Sequence, residues 1–267
     1  MFLTNFLIKN SLSRYKSFIW DSDLKKLKKV KKFKTININL LVGIERQKNT
    51  LLKNTESFAK GNFTNNVLLW GSRGNGKSSL VKAIFWKVNK KYNNLKLLQI
   101  NKNDIFDIEN IYEILGQFNK YRFIIFIDDL SFEKIDSDYK IIKSTLDGSI
   151  QNQPNNILLY VTSNRRHLMP RDMIDNERSS AIHTDESVEE KISLSDRFGL
   201  WIGFHNISQK DYIKIVTKYC EEFKLTFDKD IEKESIRWSL QRGNRTGRTA
   251  WQFILNYSAE KNKKIKI

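Results

Sequence analysis

A single cysteine, Cys220, excludes an internal disulfide, and the three histidines, His167, His183 and His205, are too scattered to give zinc-ligand spacing with it. Two prolines and eleven glycines in 267 residues argue against collagen-like, proline-rich or glycine/serine-linker character, and no fixed-period repeat marks a solenoid or propeller. No apolar run reaches the ~18 residues of a membrane-spanning helix. What the chain does have is 40% hydrophobic and 12% aromatic residues, enough to bury one or two cores without staples. The first twenty residues are basic and free of acids, as in an organelle transit peptide or an ordinary N-terminal helix. They lack the apolar core and cleavage site of a secretory signal, so the expectation is a cytoplasmic globular protein with no membrane partner.

The formal charge of +17 is uneven: residues 1–34 carry +8, the last seven residues add four lysines, and the body between is only mildly basic. Any strong attraction to a polyanion therefore comes from the extensions. A lysine, asparagine and isoleucine bias running through the whole chain explains the same numbers without a binding role. In 24–34, Leu24, Leu27, Val30 and Phe33 recur every third residue among lysines, which predicts an amphipathic basic helix or a solvated connector. Residues 1–35 are thus expected to form a basic helical extension.

From Leu41 a turn at Gly43 leads into a helix that stops at Gly61. Strand-sized apolar runs follow at 67–70, 95–100, 123–127, 157–162 and 200–204, separated by helical or loop stretches. Such runs predict an α/β domain over 36–206 with five parallel strands buried on both faces. Three helical segments, 208–223, 229–241 and 248–262, predict a small helical module over 207–267.

The most informative stretch runs from Gly71 through Ser72, Arg73, Gly74, Asn75, Gly76, Lys77, Ser78 and Ser79. It matches G-x-x-x-x-G-K-[ST] in full, after a predicted strand and at the start of a predicted helix. The glycines let successive N–H groups wrap a phosphate chain, Lys77 is expected at the β- and γ-phosphates, and Ser78 at Mg²⁺. A second strand ends in Asp128-Asp129. Asp128 is the expected water-mediated Mg²⁺ ligand, and either Asp129 or Glu133 is placed to orient the attacking water. The alternative for the carboxylate pair is a helix cap. Asn101-Lys-Asn-Asp104 spells a guanine-recognition pattern, but it precedes the acidic strand instead of following it, which leaves ATP as the expected nucleotide.

Taken in order, these motifs resemble the AAA+ ATPases over about residues 40–260, closest in style to the initiator and helicase-loader branch, which often ends the metal strand in Asp-Asp. The segments LLWGSRGNGKSSLVKA, IFIDDLSFE, KSTLDGSI, LLYVTSNRRHLMPRDM, EEKISLSDRFGLWIGF and RGNRTGRTAWQF also resemble the bacterial ATP-binding family known as domain of unknown function 815. The resemblance implies that Gly43 flanks the adenine and that Asn164 is a first sensor of the γ-phosphate. It implies that Arg197 is an arginine finger offered to a neighbouring subunit, and that Arg248, with Arg245 in reserve, is a second sensor. Bland alternatives are a strand-end cap for Asn164 and a surface ion pair with Glu189, Glu190 or Asp196 for Arg197.

The segment INKNDIFD lacks the aromatic-hydrophobic-glycine loop of unfoldases, and no helix-turn-helix follows the lid, so polypeptide threading and duplex-sequence reading are not expected. The expectation is an ATP- and Mg²⁺-dependent ATPase, oligomeric, acting on a nucleic acid or protein client. An ATP-dependent switch with little turnover is the alternative, and a small-molecule kinase fits less well.

Overall fold

The computed structural model describes residues 2–132, 142–143, 153–166, 168, 196–263 and 265, with side chains from Phe6 onward. Among these residues the elements run α1 (Phe2–Arg14), β1 (Ser17–Asp21), β2 (Lys26–Lys29), α2 (Glu45–Ala59), β3 (Val67–Gly71), α3 (Lys77–Asn89), β4 (Leu95–Ile100), α4 (Ile108–Gly116), β5 (Arg122–Ile127), β6 (Ile157–Ser163), β7 (Leu200–Phe204), α5 (Gln209–Glu222), α6 (Lys229–Gln241) and α7 (Gly247–Glu260). Short 3-10 turns lie at Ile38–Leu40 and Lys102–Asp107.

The strands form one sheet in the order β2-β1-β4-β5-β6-β3-β7, parallel throughout except for the antiparallel β1–β2 pair. The five runs anticipated from sequence are β3 to β7. The sheet nevertheless has seven strands, because the N-terminal segment adds two. On β5 the two-residue period of a strand sends Phe123, Ile125 and Ile127 into one core and Ile124 and Phe126 into the other. Burial on both faces is why the 123–127 run of β5 is apolar at every position.

The helix anticipated over 24–34 is corrected by the structure. Residues 26–29 are a strand, registered Ile19↔Lys28 and Trp20↔Leu27 against β1, which itself pairs in parallel with β4. Of the four apolar residues spaced by three, Leu27 packs inward, Leu24 is exposed in the turn, and Phe33 lies in the strap that follows. The spacing was real but served three different structures. Residues 2–35 therefore supply the two strands at the edge of the main sheet, with Leu12, Phe18 and Trp20 buried in its core, and only α1 is helical.

The three C-terminal helices form a separate apolar cluster of their own. Each starts at a side-chain cap: Ser208 accepts from Asp211 N–H, Asp228 from the Asp230 and Ile231 N–H groups, and Thr246 from Thr249 N–H. No helix among the described residues is long and apolar enough to cross a membrane.

Candidate functional site

The parallel strands β3, β5, β6 and β7 all deliver their carboxyl ends to one edge of the sheet, where open α/β sheets carry their ligand crevices. The loop after β3 turns on three glycines with positive φ: Gly71 at 123°, Gly74 at 77° and Gly76 at 90°. At Gly71 a β-carbon would stand 2.0 Å from the Phe204 carbonyl oxygen, so only glycine fits beside β7. Ser72 continues the loop, its N–H donating to Phe204 O at 3.0 Å and its hydroxyl to Asn206 Oδ1 at 2.7 Å. Asn75 Nδ2 donates to His205 O at 2.8 Å. Gly76 then begins α3 in the left-handed region, which leaves the first N–H groups of the helix facing a cleft of about 1010 Å³.

That cleft gathers Gly43, Arg73, Gly74, Asn75, Gly76, Lys77, Ser78 and Ser79 with Asp128, Asp129, Asn164 and Arg248. The Asp128 Oδ1 atom accepts from both Ser78 Oγ and Thr162 Oγ1, each at 2.5 Å. The same Thr162 hydroxyl accepts from Asp129 N–H at 2.9 Å, which helps hold Asp129 at a φ of 57°. A hydroxyl and a carboxylate in direct contact beside a glycine-rich loop are the hard oxygen donors that Mg²⁺ takes, with the rest of its shell left to water and substrate phosphates. The donor set therefore fits that ion. Among the described residues no group of three or more His, Cys, Asp or Glu side chains competes as a metal site.

Lys77 Nζ donates to Gly71 O at 2.7 Å, Ser72 O at 2.9 Å and Asn164 Oδ1 at 3.1 Å. Asn164 Nδ2 in turn donates to Asp129 Oδ1. One amide thus joins the lysine to the carboxylate. Burial lowers the Lys77 ammonium to about 8, against the pull of Asp129 and Asp128, with Arg248 and Arg73 pushing the same way as burial.

The C-terminal helices line the cleft from the other side. Arg248 N–H donates to Gly74 O at 3.1 Å, and a β-carbon on Gly74 would lie 2.9 Å from Thr246 Oγ1. Arg245 does not line the cleft; its guanidinium donates to Gln209 Oε1 at 3.3 Å. Arg197 is three residues ahead of β7, at the end of that strand opposite the phosphate loop, and also lies outside the cleft. Glu133 lies outside the described residues, as do the partners Glu189 and Glu190 considered for Arg197.

The sequence did not point to Thr162 as a site residue, because it reads as one more strand position. Nor did it point to the aromatic wall of Tyr219, Phe223 and Trp251, whose ring centroids are 5.4 to 6.4 Å apart along one side of the cleft. The i, i+4 spacing of Tyr219 on α5 and Phe223 at its C-cap was the available signal.

No curated protein matches the chain by sequence. Among solved structures, the ORC1 protein of Aeropyrum pernix in complex with DNA is 15% identical at a TM-score of 0.57, covering 84% of this chain and 62% of that one. A Thermotoga maritima RuvB mutant is 17% identical at 0.51, covering 80% and 62%. A chain of the HORMA:CdnC:Trip13 complex of E. coli MS115-1 is 12% identical at 0.51, covering 76% and 75%. This chain therefore spans about three fifths of the ORC1 and RuvB chains, and the likeness identifies the α/β fold of the AAA+ P-loop NTPases. Residues 13–261 match the family described as "Protein of unknown function (DUF815)", and the chain belongs to that family.

Proposed function

We propose that the protein binds Mg²⁺·ATP between sheet and lid and hydrolyses it to drive assembly or remodelling of a nucleic-acid or protein client. The observation that carries this reading is the convergence, in one cleft, of the glycine loop, Lys77, the Ser78–Asp128 oxygen pair, Asp129, Asn164 and Arg248. The N–H groups at the start of α3 take the β-phosphate, and Lys77 exchanges its carbonyl partners for the β- and γ-phosphate oxygens. Bound between Ser78 and Asp128, Mg²⁺ would neutralise charge on those phosphates. Asp129 orients a water against the γ-phosphorus and takes its proton as the bridging P–O bond breaks, giving ADP and phosphate. Asn164 positions that water or the γ-phosphate, and Arg248 reaches it from the lid. Gly43, the neighbouring apolar residues and the aromatic wall receive the base.

Arg197, outside its own cleft, serves a neighbouring subunit, so full activity needs a homo-oligomer. Relatives in fold are described with DNA in one case and with a HORMA protein in another, which supports a macromolecular client without choosing between them. The test is steady-state phosphate release across protein concentrations, with and without DNA. Specific activity is expected to rise with concentration and to fall at least about tenfold in Arg197→Ala. Concentration-independent turnover indifferent to that change would remove the shared site. Arg248→Ala is expected to lower activity far more than Arg245→Ala.

A second reading, a switch with little turnover, is favoured by the amide that ties Asp129 to Lys77. On that reading Asp129→Asn leaves both ATP affinity and the already slow phosphate release unchanged.

A further inference from the structure

On the α3 side of the sheet, at the β1–β4 edge, lies a second pocket of about 140 Å³. Its floor is set by register. Pairing of Ser17 with Leu97 and of Ile19 with Gln99 puts Ser17, Ile19 and Gln99 on one sheet face. Its walls are Phe33 and Lys34 from the strap after β2 and Lys82 from α3. No carboxylate is among the described residues that line it. The Ser17 hydroxyl is buried with no hydrogen-bond partner, although its residue lines the pocket. A buried hydroxyl left unpaired is destabilising, so such a group is normally satisfied by something.

Two ammonium groups, a carboxamide and an idle hydroxyl around a small cavity are the donors that phosphate oxygens accept from. The volume is about that of four or five water molecules, which suits one phosphate group and not a nucleotide. Beyond the lining, Lys28 stands opposite Ile19 and so occupies the same face one strand further out, exposed, which extends the positive charge toward the sheet edge. Asp21, the acid on this face, is engaged by Leu24 N–H in the hairpin turn.

We infer that this pocket is a phosphate-binding site, separate from the nucleotide cleft, built by Ser17, Gln99, Lys34 and Lys82. It takes either the phosphate of a small monoester or one phosphate of a nucleic-acid backbone. Lys34 lines both cavities, so the test must separate them.

The test is a titration of full-length protein with inorganic phosphate at constant ionic strength, balanced with chloride, following the amide chemical shifts of Ser17, Ile19 and Gln99. Saturable shifts at these residues are expected. They should need at least about fivefold more phosphate in Lys82→Gln, a half-exposed position whose change leaves the fold intact. They should weaken in Ser17→Ala and survive in Lys77→Ala, which disables the cleft. Shifts that never saturate, or that are unchanged in Lys82→Gln, overturn the site. Two further titrants identify the source: tighter binding of glycerol phosphate selects a small monoester, and tighter binding of a thymidine hexanucleotide without terminal phosphates selects a phosphodiester chain. Failure of both, like failure of phosphate itself, overturns the proposal.

Discussion

The two ends of the central sheet are built by different rules. At β3 the loop is dictated locally: Gly71, Gly74 and Gly76 adopt φ values that few other residues tolerate, and Ser72, Asn75 and Lys77 each donate within the loop or to residues at and just after the end of β7. At β1–β2 almost nothing is dictated locally. Lys26, Leu27, Lys28 and Lys29 become a strand because β1 offers an open edge, and β1 in turn is ordered by β4. The three lysines of β2 are exposed, and the Lys29 ammonium lies over the Tyr15 ring. A loop specified by its own backbone announces itself in a motif, whereas an edge strand specified by a distant partner does not.

The comparison breaks most severely at Gly71. An alanine there must displace the Phe204 carbonyl, 2.0 Å from its β-carbon, and so must part β3 from β7. Gly71→Ala is expected to lower stability by about 3 kcal/mol or more in urea unfolding, with loss of ATP binding. Gly243→Ala is the control. It also has positive φ but open space around it, and about 1 kcal/mol is expected. Equal losses would mean that dihedral strain, not the close approach to β7, sets the requirement.

At the other end the sensitive contact is not in the strands. Asp107, buried, accepts from Trp20 Nε1 at 2.7 Å and from Lys25 Nζ at 2.7 Å, clasping the hairpin to the turn before α4. Asp107→Ala leaves the buried indole N–H unpaired and is expected to cost about 2 kcal/mol. Lys25→Ala removes a half-exposed partner and should cost under about 1 kcal/mol. Hydrogen exchange of the β1 amides should accelerate in the first variant and hardly change in the second. If both leave β1 equally protected, the hairpin is held by Phe18 and Trp20 burial alone.

This contrast also explains what could be read before the structure. The five buried strands, the three C-terminal helices and the glycine loop after β3 were visible because each is a short-range pattern: an apolar run, a cap, a glycine spacing. The three-residue spacing of Leu24, Leu27, Val30 and Phe33 misled because lysines between apolar residues look alike on a helix and on an edge strand. Thr162 escaped because its role comes from β6 lying beside β5, which brings its hydroxyl to Asp128. Arg248 was preferred to Arg245, but a run of glycine, asparagine and arginine left that choice ambiguous. The cap at Thr246 separates them by starting α7 so that Arg248 lines the cleft.

The last expected effect sharpens the comparison by pH. Lys96 is almost fully buried in β4, donating to Tyr15 O at 3.1 Å with Tyr121 5.1 Å beneath its ammonium. Burial, aided by the nearby Lys16 charge, lowers its pKa from 10.5 to about 8. Because the folded state gives up this proton first, the unfolded chain holds more protons between pH 8 and 10.5, and stability rises with pH there. Below pH 8 the penalty is present in full. Cys220, raised by burial from 9.0 to about 11, and Tyr160, raised by burial to about 12, work oppositely above pH 9 and pH 10, so the clean window is pH 8 to 9. Between pH 7.5 and 9, urea midpoints should show about 1–2 kcal/mol less gain in Lys96→Met than in the unaltered chain. Lys77, also lowered to about 8, supplies the remaining slope from the loop end, and Lys77→Met should remove that part instead. The two ends of the sheet would then be separated by one measurement, each through the lysine it buries.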